Sequence, residues 1–107
     1  MKIKMKTNKI AEIVKEAYNE YQSKKREYEK HAKIFGFDTH DYMVVLLERR
    51  LKALGIEKAE IIVISETRGF IIYDSVLYDY VIIDATNSAR AIIYKYYLEK
   101  SIETVIK

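Results

Sequence analysis

The sequence predicts an α+β domain in which N-terminal helices pack on a small antiparallel sheet of about three strands and a last helix closes the chain. Three observations carry this. Up to Leu54, apolar residues recur at three- and four-residue spacing, the mark of amphipathic helices. From Glu60 to Asp84 they gather in short runs rich in Ile, Val and Tyr, separated by turn residues, which reads as strands. The glycines at 36, 55 and 69 punctuate these segments. With 107 residues, residues 1–107 make one domain around one core, since domains typically hold about 100 to 150 residues.

Taken in order, Ile10, Ile13, Val14, Ala17, Tyr18 and Tyr21 form one stripe and predict a helix from about 8 to 34. Lys24 and Lys25 interrupt the stripe, so the last turns are expected to bend away or project; Gly36 ends the segment. A second helix is expected from Asp38 to Leu54. Asp38 and Asp41 are placed to accept the free N–H groups of its first turn, and Met43, Leu46, Leu47, Leu51 and Leu54 form its buried stripe. Strands are expected over 60–66, 70–73 or a little beyond, and 78–84, with short connections that favour antiparallel neighbours. Thr86, Asn87 and Ser88 supply helix-start chemistry, and 88–107 is read as a final helix. Its apolar residues cover so much of the circumference that it must be deeply buried or meet a partner.

Composition narrows function. The absence of cysteine removes disulfides, thiolate metal sites and a cysteine nucleophile. The longest apolar runs, at 43–47 and 61–64, fall far short of the roughly 20 residues that span a bilayer, and no secretory leader is recognisable. A cytoplasmic protein with no membrane contact is expected. Many Lys and Glu with three Asn and one Gln are the compositional lean of proteins from hot environments.

The middle of the chain carries a more specific pattern. Gly36, Asp38, Thr39, His40, Asp41 and Tyr42, followed by LLERRLKALGI and, further on, YVIIDATN at 80–87, resemble the nucleophile helix and the aspartate-bearing strand of transglutaminase-like proteins, a branch of the papain-like cysteine hydrolases. The resemblance covers about residues 36–86. It implies a helix-then-hairpin layout in which three catalytic groups face one cleft. Laid onto that pattern, the cysteine position holds Thr39, the histidine position holds Phe70, and only the aspartate persists, as Asp84. Two of three catalytic groups are absent, so the resemblance implies a degenerate, inactive member. A groove between the helix starting at Asp38 and the strand bearing Phe70 is expected to remain.

Other residues admit other chemistry. A threonine nucleophile needs a positioned general base. Phe70 offers none, and His40 is poorly placed because adjacent helical residues point about 100° apart; a hydrolase using Thr39 remains an alternative. His31 reads as a surface histidine. Asp38, His40 and Asp41 lack a fourth ligand, so no metal and no cofactor is expected. Asp74, Asp79 and Asp84 alternate faces along a hairpin and do not converge. Asp84 is expected to cap the last helix or to pair with Arg68 or Arg90. Residues 1–33 hold ten Lys or Arg against five Glu, and Lys2, Lys4, Lys6, Lys9 and Lys15 admit nucleic-acid binding as an alternative, although interleaved glutamates lower the local potential. Ten tyrosines suit an interface. The leading expectation is therefore a protein-binding or self-assembly module, a homo-oligomer in its simplest form, docking through Tyr94, Tyr96, Tyr97 and Phe70.

Overall fold

The computed structural model describes residues 6–85 and 88–98. Helices α1 (Thr7–Ser23), α2 (Lys25–Phe35) and α3 (Tyr42–Ala53) come first, the last preceded by a 3₁₀ turn over Thr39–Asp41. Strands β1 (Glu60–Ser65), β2 (Arg68–Tyr73), β3 (Val76–Ile83) and β4 (Arg90–Tyr97) then form one antiparallel meander in the order β1-β2-β3-β4. The α+β class and the N-terminal placement of the helices match the sequence expectation.

All six stripe residues of α1 are buried, because a helix lying on a sheet hides one face and wets the other. The expected single helix breaks at Lys24, whose backbone leaves helical geometry at φ −113° and ψ 12°. Lys24 and Lys25 remove the apolar stripe at that point, so nothing holds the next turn to the core, and Ala32 is the one fully buried residue of α2. Gly36 closes α2 in the left-handed conformation at φ 76°, and the N–H groups of Gly36 and Phe37 both donate to the Ala32 carbonyl, as a glycine helix stop does.

In α3, Met43, Leu46, Leu47 and Leu51 are buried as expected, whereas Leu54 falls past the helix end and is exposed. Neither Asp38 nor Asp41 makes a side-chain cap hydrogen bond. The 3₁₀ turn replaces the expected capping: the Asp41 N–H donates to the Asp38 carbonyl, so backbone takes the place of side chain.

The hairpin joining β2 to β3 is a two-residue turn, Asp74 and Ser75, with φ of 50° and 62° between the paired Tyr73 and Val76. Positive φ at both central residues is the type I′ geometry that matches strand twist.

The largest departure is at the end. Residues 90–97 are a strand paired to β3 from Val76↔Tyr97 to Ile83↔Arg90, not a helix, so the sheet has four strands. Ile92, Ile93, Tyr94, Tyr96 and Tyr97 are β-branched or aromatic and favour a pleated surface, and β3 supplies the hydrogen-bond ladder that local sequence cannot announce. Thr86, Asn87 and 99–107, also assigned to that helix, lie outside the described residues.

Helices α1 and α3 cover one face of the sheet only. On that inner face Ile71, Tyr78, Tyr80 and Ile82 meet the helical stripes in one core. Burying each Leu, Ile or Tyr there contributes about 1.5–3 kcal/mol before chain entropy is counted.

Candidate functional site

The three positions aligned with a catalytic triad do not converge. Thr39 sits half-buried in the 3₁₀ turn, which packs on α2, α3 and β1. Phe70 lies in mid-β2 between Gly69 and Ile71, both buried on the inner face, and strand alternation turns its side chain to the opposite face. Asp84 follows β3 at φ 54° and its exposed carboxylate accepts from Arg90 Nη2 at 3.1 Å. Of the two arginines expected as its partners, Arg90 is the one engaged. Among the described residues no hydrogen bond or ion pair joins any two of Thr39, Phe70 and Asp84. The expected groove between the helix start and Phe70 is corrected accordingly: Phe70 faces away from the helices.

His40 is half-buried, with Nε2 3.8 Å from Asp41 Oδ1. His31 is exposed but engaged, its Nδ1 hydrogen-bonded to the Tyr42 hydroxyl and its ring against Phe35. No group of three His, Cys, Asp or Glu is arranged to hold a metal among the described residues, and no helix among them is long and apolar enough to cross a membrane.

The lysines proposed for nucleic acid are dispersed. Lys2 and Lys4 lie outside the described residues, Lys6 occupies the N-cap of α1, and Lys9 pairs with Glu12 at 3.3 Å. Lys15 is exposed on the same helix as Glu12 and Glu16. Further along, Arg50 of α3 reaches across to Glu20 at 2.8 Å and Glu16 at 3.9 Å. The hydrogen bond from Arg50 outweighs desolvation and holds the Glu20 carboxyl below its ordinary range.

The outer face of the sheet is different in kind. Register puts Ile62, Phe70, Asp79 and Tyr94 in one row across all four strands. Glu60, Ile72, Leu77 and Tyr96 make the row on one side. Arg68, Val81 and Ile92 make the row on the other. Ile62 and Ile64 are 48% and 50% exposed, Tyr94 and Tyr96 49% and 54%, and no described helix covers them. Three of the four residues proposed for binding, Phe70, Tyr94 and Tyr96, therefore share this face. Tyr97 does not: alternation turns it to the inner side at the sheet edge, where Lys95 Nζ stands 5.2 Å from its ring centre.

One polar pair interrupts the apolar surface. Asp79 is 8% exposed, and its Oδ2 accepts from Arg68 Nη2 at 3.4 Å while its Oδ1 is buried with no hydrogen-bond partner. Sequence reasoning missed Ile62, Ile64, Ile72, Leu77, Val81 and Ile92 as parts of a site. The signal was present: IIVI, FIIY, YVII and AIIY are unbroken apolar runs, whereas an antiparallel strand with one wet face alternates.

A smaller apolar corner lies where α2 meets the 3₁₀ turn. His31, Phe37, Asp41, Tyr42 and Val45 line a concavity there, with exposed Ile34 and Phe35 nearby in sequence. Beneath it Tyr42 stacks on Tyr28, and Tyr28 on Tyr21. No family model, curated protein or solved structure matches this chain.

Proposed function

We propose that this chain is a protein-binding module that docks through the outer face of its sheet, with no covalent step. The single observation that carries the reading is that all four strands carry large apolar side chains on both faces while the described helices cover one. Monomeric proteins rarely leave a contiguous apolar patch of more than a few hundred Å² open to water, so a face built this way is made to be covered. Phe70 and the phenols of Tyr94 and Tyr96 supply the large, stiff contact area favoured at binding hot spots. Inactivity rests on residue chemistry: among the described residues no base is hydrogen-bonded to Thr39, and Phe70 carries only carbon where a proton acceptor would be needed. On this reading a transglutaminase-like ancestry would contribute a scaffold and nothing to the chemistry, and docking does not depend on it.

The test is site-specific photocrosslinking in the cells that make the protein. A benzophenone side chain placed at Ile62 or at Tyr94 should give one reproducible protein adduct, and the same group at Glu48, on the exposed face of α3, should not. Equal adducts from all three positions, or none, would overturn the reading.

A further inference from the structure

Resting on that reading, we infer that the partner is a second copy of this chain, packed sheet to sheet across a two-fold axis. A two-fold interface brings one patch against itself, so the patch must carry both halves of every polar contact. This one does. Half-exposed Arg68, of which Nη2 alone is engaged with Asp79, offers donors in one row, exposed Glu60 offers acceptors in the row on the other side of the centre, and the half-exposed Tyr94 and Tyr96 bring phenols that both donate and accept. A second copy turned about the two-fold brings the guanidinium and phenol donors of one face to the acceptors of the other. Each such contact is made twice, once from each copy.

Charge and size agree. Arg68 and Asp79 neutralise one another at the centre of the face, so a strongly charged partner of either sign finds no counter-charge there. Four strands about 4.8 Å apart, with rows spanning about 20 Å along them, give a footprint near 19 by 20 Å on each copy. With side-chain relief, two such faces cover on the order of 1,000 Å², the threshold for a specific pair. Packed sheets sit about 10 Å apart, which the Ile, Phe and Tyr side chains here are long enough to fill.

Sedimentation of the purified full chain over a range of concentrations tests this. A species of twice the chain mass is expected, and Ile62→Lys and Ile92→Lys should each weaken it at least tenfold; both side chains are already partly exposed, and circular dichroism melting verifies that the variants fold. Phe37→Ser, at the apolar corner away from the sheet, should leave it unchanged. A wild type that stays monomeric to several hundred micromolar overturns the inference, as does a dimer that both outer-face variants leave intact. A monomer that nonetheless crosslinks from Tyr94 to a different protein removes the second copy and keeps the docking face. Absence of both dimer and adduct removes both.

Discussion

The two faces of this sheet are built from the same residue types and differ in what lies over them. On the inner side Ile71 and Tyr80 are fully buried beneath α1 and α3. On the outer side Ile62 and Tyr94, one row along, keep about half their surface in water. Sequence composition alone does not distinguish a face that is covered within the chain from one that is left open. Covering decides it, and each substitution below is expected to act according to the face it touches.

The largest effect belongs to the inner face. Leu47→Ala, at a position with no solvent exposure, should destabilise by about 2–5 kcal/mol through lost transfer energy plus a cavity, read by urea denaturation. Next comes Gly69→Ala. A Cβ there would stand 2.4 Å from the Tyr80 hydroxyl and 2.7 Å from the Ile62 carbonyl oxygen, and overpacking of this kind costs about 1–3 kcal/mol. The double variant Gly69→Ala with Tyr80→Phe should recover part of that loss. A full loss in the double variant would assign the strain to the Tyr80 ring carbon Cζ, 2.6 Å away, and the Ile62 carbonyl, both of which it leaves in place.

Tyr80→Phe alone should raise stability by about 1 kcal/mol, since the buried hydroxyl has no hydrogen-bond partner. It should also flatten the alkaline limb of the stability curve. Burial pushes the Tyr80 phenol above its ordinary value, so the folded chain holds its proton while the unfolded chain releases it from about pH 10 upward. Stability present below that point is then lost as pH rises toward the folded value.

Smaller still is the contribution of Arg50 and Glu20, which the two sheet faces do not share. Glu20 titrates lower in the folded chain than in the unfolded one, so its pair with Arg50 is fully stabilising above the unfolded carboxyl range and is lost as pH falls through the folded value. Arg50→Ala should reduce that acid-side slope, Lys24 still holding Glu20 at 3.4 Å, at a cost under about 1 kcal/mol at neutral pH, as for partly exposed pairs generally. Least of all, Ile62→Ser should change the stability of the monomer, measured at high dilution, by about 0.5 kcal/mol or less. A loss as large as that of Leu47→Ala would mean that the outer face is already covered within one chain.

Much of the helical half was legible because amphipathic spacing is a local signal. The stripe from Ile10 to Tyr21 and the break at Lys24 follow from residues three and four apart. Residues 90–97 were not legible, because Ile92, Ile93 and Tyr94 are compatible with either a helix or a strand, and the ladder from β3 that settles the choice lies seven to twenty-one residues away in sequence. The site was legible in part. Phe70, Tyr94 and Tyr96 were expected as contact residues singly, but that they share one surface depends on register, which a single strand does not contain. The groove expected beside Phe70 failed on parity: one residue's shift along a strand changes the face.

The close approach of Gly69 to Tyr80 has a bearing on how this chain can diverge. An aromatic ring laid across a bare backbone leaves no space for even a methyl group, yet its hydroxyl contributes no bond, so substitution is blocked at one member of the couple and open at the other. Lineages descending from this protein should therefore retain the glycine while exchanging tyrosine for phenylalanine freely, an asymmetry by which distant kin of this fold can be traced once their sequences have otherwise drifted apart.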